Sequence, residues 1–458
     1  MLELVISQLV VAIPLVLLGL WTSWYFLPRK CIGFFHPYCD GGGGGERVLW
    51  CAVKGIQRDE RYAGVPILIM CATDRAPEGI IEQAQNKFGI DVSLDGIEFV
   101  RMPTGWAKLL EAKMWPKFTV LGQSLGCFFL ALRMCPHFLR CRVLCETTGL
   151  AFCYPVAWVF GCSILSYTHY PTMSYDMIDR VRNRVSMYNN NAAVANNPIL
   201  TFVKLIYYQF FLFVYGFCGA FAKIVLTNGN WTRTRIEDVF WFTAAPVLYP
   251  PVNLDAFNTG VKKARKQDII VSVSQFRPEK NQKLQIDAFA RAHKDLLHAP
   301  GIKLLLVGGV RNEGDQQLCD ELKEHANNVC EPGSVEFHTN VSFPRLVELV
   351  CSAKVSIHTM IDEHFGINLL EFIAGDCVVV SNRSGGPLTD IIGDDRSKGI
   401  LCETEEEYAT AIAKALPNYN SAEFTSMRQT ATKSLGNFLG DDKFAELFVD
   451  YLTKLRRF

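Results

Sequence analysis

The sequence predicts an α/β protein of two doubly wound domains, each built on a parallel sheet. Three observations carry that expectation. Short apolar, β-branched runs alternate with helical stretches along nearly the whole chain. The strand runs are apolar on both faces, as strands covered by helices on both sides must be. Near the middle, Tyr249-Pro250-Pro251-Val252-Asn253 interrupts the alternation, and two prolines fix the backbone and remove ladder donors. At 458 residues the chain is long enough for two or three domains, and 49% apolar content excludes disorder for most of it.

In chain order, the first feature is Leu4–Leu27, 24 residues without a charge, followed by Arg29 and Lys30. A helix of about 1.5 Å per residue covers a ~30 Å hydrocarbon core with that length. The trailing positive charges keep the downstream chain in the cytosol. Residues 1–30 therefore read as a transmembrane anchor. Candidate strands of the next domain, residues 31–250, are Ile32–Phe35, Pro66–Cys71, Glu98–Arg101, Val143–Cys145, Ser163–Thr168 and Ile224–Thr227. Within it, Leu205–Ala222 is apolar and aromatic-rich enough for a second span. A span would place residues 1–204 and 223–458 on opposite sides of the bilayer, so an interfacial helix lying on the lipid surface is preferred, with Phe118–Leu132 on the same surface. Buried core helices are the alternative.

The second domain, residues 251–440, repeats the pattern with strands at Asp268–Phe276, Ile302–Val307, Ser334–His338, Val355–His358, Cys377–Ser381 and Gly399–Cys402. Helices are expected at Asn281–Lys294, Asp315–Asn327, Pro344–Cys351 and Thr404–Ala415, the last opened by a threonine cap and three glutamates. Residues 441–458 are expected to form a C-terminal helix that packs back on the first domain.

Charge excludes a nucleic-acid binder. The 46 basic residues match 46 acidic ones, with 22 against 17 in residues 1–250 and therefore 24 against 29 in the rest. Sixteen cysteines lie scattered in apolar runs without CxxC spacing, as buried small hydrophobes of a reducing compartment do.

Five stretches hold chemistry-bearing residues. Gly41–Gly45, between a strand and a helix starting near Glu46, could expose N–H groups to an anion, though glycine runs also serve as connectors. Arg277 and Lys280 follow the first strand of the second domain and could hold a diphosphate. His358–Glu371 is the densest cluster: Glu363 on a loop and Glu371 on the following helix, with N–H groups of residues 365–368 at the helix start. No metal-ligand spacing is present there. Finally, His169-Tyr170-Pro171 ends a first-domain strand, and Ser384-Gly385-Gly386-Pro387 precedes another helix.

Together these residues resemble the large family of retaining glycosyltransferases with the GT-B fold, two Rossmann-like domains facing across a cleft, built around an E-x7-E element. Glu363-x7-Glu371 matches that element. Gln275 stands five residues before Lys280, where many relatives carry the first basic residue, so Arg277 is a shifted counterpart. His36-Pro37-Tyr38-Cys39-Asp40 leading into Gly41–Trp50, with His169–Thr172, Gln275–Asn281 and Glu363–Ile367, is similar to the α-1,2-mannosyltransferases of the dolichol pathway. That resemblance implies transfer of mannose, as the fourth and fifth residues, from GDP-mannose to a dolichyl-diphosphate oligosaccharide in N-glycan precursor assembly at the endoplasmic reticulum membrane.

It further implies roles. Glu363 and His169 act on the reacting mannose. Arg277, Lys280, Glu371, Phe365, Gly366, Ile367 and Asn368 bind the donor. Gly43, Gly44 and Gly45 approach phosphate or acceptor. No metal or other cofactor is implied. Implied partners are the lipid bilayer and the preceding mannosyltransferases of the pathway, and no nucleic acid. Two alternatives stay open: a membrane-bound GT-B enzyme using another donor such as UDP-N-acetylglucosamine, and a non-catalytic GT-B scaffold.

Overall fold

A computed structural model describes residues 29–184, 196–297 and 301–455. The expected anchor, Leu4–Leu27, lies outside them. The chain divides into two compact units. The first takes the residues up to Asn228, Thr232–Pro251 and the chain from Asp441; the second takes Gly229–Trp231 and Val252–Gly440.

The first unit holds a parallel sheet of six strands: β1 (Cys31–Phe35), β2 (Ile67–Cys71), β3 (Ile97–Arg101), β4 (Cys141–Glu146), β5 (Ser163–Thr168) and β6 (Ile224–Thr227), in spatial order β3-β2-β1-β4-β5-β6. Every residue of β1, β2 and β5 is buried, which explains their continuous rather than alternating apolar character. β3 forms an edge and only its Val100 is buried. The order reverses direction between β1 and β4, and ligands of doubly wound sheets bind outside the carboxyl ends of the strands at such a switch point.

Helix α1 (Gly44–Arg58) follows β1, α2 (Pro77–Phe88) follows β2, and α3 (Thr119–Arg133) follows β3. α1 begins at Gly44, two residues before the sequence expectation. Glu46 reaches back to accept from the Gly43 N–H at 2.6 Å, so the two glycines join the first helical turn.

Helix α4 (Pro198–Gly219) carries the apolar run whose length would suit a second span, and it connects β5 to β6. Those strands are parallel neighbours in one sheet, with Leu165 opposite Ile224 and Thr168 opposite Thr227. Both ends of α4 therefore stay on one side of any bilayer, and the helix is a crossover rather than a span. One face is buried, with Phe211 packed on Phe152 and the Tyr215 hydroxyl accepting from the Thr172 N–H. The other exposes Ile199, Val203, Ile206, Phe210, Phe213 and Phe217, an i, i+3/i+4 stripe. Beside it α3 exposes Leu125, Phe128, Phe129 and Leu132, and Phe118 packs edge-on against Tyr207 of α4 at 5.3 Å.

The second unit repeats the plan with β7 (Gln267–Val273), β8 (Lys303–Gly308), β9 (Val335–Thr339), β10 (Ala353–His358), β11 (Val378–Asn382) and β12 (Ile400–Cys402), in order β12-β11-β10-β7-β8-β9. Its switch point lies between β7 and β10. β7 stops three residues short of the expected Phe276, because the backbone turns toward Pro278 while Ser274 keeps its N–H bonded to Val307 O. Helix α5 (Gln282–Arg291) follows β7, α6 (Ile367–Ala374) follows β10, and α7 (Glu405–Ala415) is capped by Thr404, whose hydroxyl accepts from the Glu407 N–H. All sixteen cysteines are free thiols and fourteen are buried.

The last helix, α8 (Asp441–Leu455), belongs to the first unit and packs along α1. Arg47 forms a bidentate pair with Asp441 at 3.0 and 2.8 Å, and Lys54 reaches Asp442 at 2.8 Å. Gly55 permits this approach, since a Cβ there would lie 2.8 Å from the Ala445 carbonyl oxygen. Gly55→Val is expected to lower stability by about 1–3 kcal/mol, read from the urea midpoint. Gly436→Ala, with open space around it, should change the midpoint little.

Candidate active site

The residues singled out in the second unit converge on the β7/β10 switch point. The turn after β7 puts Lys280 beside the loop after β10, where its ammonium donates to Glu363 Oε2 at 2.5 Å and contacts Met360 Sδ at 3.1 Å. His358, the last residue of β10, is buried and brings Nε2 within 3.1 Å of the same carboxylate oxygen without aligning on it as a hydrogen bond. Asn368 fixes the ring: its Nδ2 donates to Val273 O at 2.9 Å and faces His358 Nδ1 at 3.2 Å. An amide N–H facing Nδ1 leaves the neutral ring's proton on Nε2, toward Glu363.

Burial opposes ionisation of Glu363, but His358, Lys280 and His364 beside it outweigh burial and hold its carboxyl far below the ordinary range. His364 is affected in the other sense. Burial first disfavours its charged form and Glu363 only partly compensates, so its pKa is pushed down to about 4.

Backbone geometry presents this carboxylate. Asp362 has φ of 55° and Gly366 φ of 97°, so the loop makes two left-handed turns around Glu363 before α6 begins. A second loop supports it: Gly386 donates to Glu363 O at 2.7 Å and Ser384 accepts from the Asp362 N–H. A Cβ on Gly385 would lie 2.2 Å from Glu363 O, so glycine there is a steric requirement. Ile367 opens α6, Phe365 is buried against Phe438, and Glu371 lies in the second turn of the same helix. Arg277 is half-exposed and pairs with Glu279 at 2.8 Å, and its charge helps to hold His364 neutral.

In the first unit, His169 follows β5 and faces α1, where a Cβ on Gly45 would come within 3.6 Å of its Nε2. Gly43 is the residue before α1, and Gly44 and Gly45 form its first turn. Glu46 and His36 complete this group. His36 Nδ1 contacts the Thr147 hydroxyl at 2.7 Å, and Nε2 stands 3.6 Å from Glu46 Oε1. Burial opposes ionisation of Glu46, yet His36 and the Gly43 N–H hold its carboxyl below the ordinary value. Sequence reasoning gave no role to His36, Glu46 or His358. The available signal was a histidine closing a buried strand, as His358 closes β10 and His36 follows β1. Among the described residues no group of three or more His, Cys, Asp or Glu is placed to hold a metal ion.

Residues 29–240 match the family model described as ALG11 mannosyltransferase N-terminus, and residues 256–433 match Glycosyl transferases group 1. A Homo sapiens relative named GDP-Man:Man(3)GlcNAc(2)-PP-Dol alpha-1,2-mannosyltransferase is 36% identical over 93% of this chain and 87% of its own length. A Dictyostelium discoideum protein of the same name is 34% identical over 94% and 85%. Among solved structures, Anabaena Alr3699/HepE in complex with UDP is similar at a TM-score of 0.64, with 16% identity over 93% of this chain and all of that one. Sucrose-phosphate synthase of Thermosynechococcus elongatus gives 0.63 and 15% over 93% and 99%. These two likenesses show the fold, a GT-B-like pair of Rossmann-like halves.

The depressed His364 pKa sets a pH dependence. Folded His364 stays neutral down to about pH 4, whereas the unfolded chain titrates near 6.5. Between those values the unfolded state binds the extra proton, so stability is full above 6.5 and falls as pH drops toward 4. The loss across that window is on the order of 3 kcal/mol. Urea denaturation at a series of pH values should show it for wild type and a flatter profile for His364→Gln, both declining further below about pH 4.5, where Glu363 of the unfolded chain takes a proton that the folded carboxylate does not.

Proposed function

The chain belongs to the family of GDP-Man:Man(3)GlcNAc(2)-PP-Dol alpha-1,2-mannosyltransferases, and from that membership we propose that it transfers mannose from GDP-mannose, with retention, onto a dolichyl-diphosphate oligosaccharide, adding the fourth and fifth mannoses of an N-glycan precursor. The observation that supports the catalytic reading best is the Lys280–Glu363 pair at the β7/β10 switch point. Glu363, kept ionised, accepts hydrogen bonds from mannose hydroxyls beside the reacting carbon. Lys280 uses one N–H on Glu363 and lends another to the weak Met360 sulfur. A diphosphate oxygen displaces that sulfur contact readily and receives the ammonium's charge as the leaving group departs. Arg277, freed from Glu279, adds a second cation. N–H groups of Ile367 and Asn368 precede the first bonded turn of α6, where Leu369 donates to Gly366 O, and remain for phosphate oxygens. Glu371 takes the ribose diol, His169 meets the transferred sugar, and the Gly43–Gly45 turn approaches the donor phosphates or the acceptor. In this scheme the positive charge comes from side chains and no metal is required.

The lipid acceptor gives the exposed stripes of α4 and α3 a purpose. We place them on the bilayer surface, beside the N-terminal anchor read from Leu4–Leu27, with both units in the cytosol.

Two measurements test these readings. With GDP-mannose, a trimannosyl lipid acceptor and EDTA, Glu363→Ala should lower kcat/KM by on the order of 10²–10³. Glu371→Ala should raise the KM for GDP-mannose roughly tenfold or more. Product formed equally by all three enzymes, or formed only from UDP-N-acetylglucosamine, defeats the assignment. For the membrane face, a fluorophore attached through Phe210→Cys in vesicle-reconstituted protein should be quenched by brominated acyl chains and shielded from iodide; the reverse pattern excludes lipid contact.

A further inference from the structure

Tyr215 occupies a place in α4 where a phenylalanine would pack as well. Its ring is fully buried among Phe152, Phe211 and Phe240, with centroids 6.1, 6.3 and 5.0 Å away. A hydroxyl in such a slot loses its water and has to find a partner in the protein. The partner is a turn: the Thr172 N–H donates to the Tyr215 oxygen at 3.1 Å. Thr172 closes His169-Tyr170-Pro171-Thr172, and its own hydroxyl donates to Gly149 O at 3.3 Å. Gly149 is fixed in its turn, because its N–H donates to Glu146 Oε2 at 3.0 Å and the Tyr154 hydroxyl donates to the same oxygen at 2.8 Å.

The other end of the turn is held as well. Thr168 ends β5 and pairs with Thr227 of β6. Its hydroxyl stands 3.1 Å from that of Ser166, which lies 2.7 Å from the Tyr154 oxygen. Between the two ends, Pro171 fixes one backbone angle. The His169 ring leans on Tyr167 with centroids 5.0 Å apart, so its aim depends on where Thr172 is pinned.

We propose that Tyr215 is a positioning residue: from α4 it pins the turn that aims the His169 imidazole. The inference rests on the reading in which His169 meets the transferred mannose. Tyr215 touches no substrate, being wholly buried. Its hydroxyl acts through the backbone of Thr172, three residues from His169. A displacement of about 1 Å in a contacting group is enough to cost on the order of a hundredfold in rate. The opposite face of α4 exposes Phe213 and Phe217, so one helix carries the open apolar stripe on one side and sets the turn on the other.

The test compares two matched hydroxyls of α4 in the full-length enzyme, with GDP-mannose and the trimannosyl lipid. Tyr207 accepts from the Leu121 N–H at 3.2 Å, the same kind of bond made to α3 instead of the turn. Tyr215→Phe should lower kcat roughly tenfold and leave the KM for GDP-mannose within about twofold, while Tyr207→Phe leaves both unchanged. In a His169→Ala background Tyr215→Phe should bring no further loss, since both changes act through one group. Thr172→Val, which cuts the tie to Gly149, should act in the same direction and serves if Tyr215→Phe fails to fold. Equal losses in Tyr207→Phe and Tyr215→Phe, or a loss that adds to that of His169→Ala, overturn the proposal. If His169→Ala keeps the wild-type kcat, or wild type does not turn over this pair, the reading of His169 fails separately. The pinning is then read by NMR of the protein carrying carbon-13-labelled histidine. The resonance missing from His169→Ala should move in Tyr215→Phe and stay in place in Tyr207→Phe; a resonance that stays in place in both overturns the proposal.

Discussion

The second unit is organised around one demand, that the carboxylate of Glu363 stay charged while 9% of the residue is exposed. A carboxylate removed from water at that depth is unfavourable unless its neighbours replace the lost hydration. Lys280 supplies a full charge, His358 a proton-bearing nitrogen and His364 a backbone N–H at 3.2 Å. None of the three works from an arbitrary position. Lys280 must turn back from β7, His358 must end β10 and Asn368 must tie both strands together through Val273. The left-handed residues and the Gly385–Gly386 approach come from the same demand, since the loop has to fold around its own side chain.

Topology makes this economical. In a parallel sheet all carboxyl ends lie along one edge, and at the switch point two neighbouring strands send their loops apart. β7 and β10 do this in the second unit, β1 and β4 in the first. The first unit meets the same physics with a different set. Glu146, fully buried at the end of β4, accepts from the Thr148 and Gly149 N–H groups and from the Tyr154 hydroxyl. That network holds the turn carrying Thr147, which in turn holds His36. A rigid polar floor therefore lies under the glycine run, although the run itself looks flexible when only its composition is considered.

The elements that were legible in the sequence are those whose cause is local. The twelve strands of the described residues announce themselves because apolar β-branched runs have few other uses at that length, and Thr404 announces α7 because a cap acts within three residues. The spacing of Glu363 and Glu371 was legible too, since seven intervening residues put one on the loop and the other on α6. The features that escaped have their cause elsewhere in the chain. His358 gains its tautomer from Asn368, His36 its orientation from Thr147 at a separation of 111 residues, and α1 its early start from the Glu46 side chain. Arg277 and Lys280 look equivalent in sequence, yet one pairs with Glu279 and the other with Glu363.

Helix α4 shows why hydropathy alone misleads. Summed along the chain, its residues satisfy the length and composition of a membrane span. The sum cannot separate apolar surface that meets protein from apolar surface that meets something else. Tyr208, Phe211, Leu212 and Tyr215 are consumed by the first unit's core, and only the opposite stripe is left over. A buried core helix would cover both faces, and a span would sever β5 from β6, whose four paired positions forbid it. The remaining solution is a helix bound to its own sheet on one side and open on the other. For an enzyme whose acceptor is a lipid, we hold that this open side meets the bilayer, so that substrate and catalyst share one surface and the acceptor's sugar need not be lifted far into water to be reached.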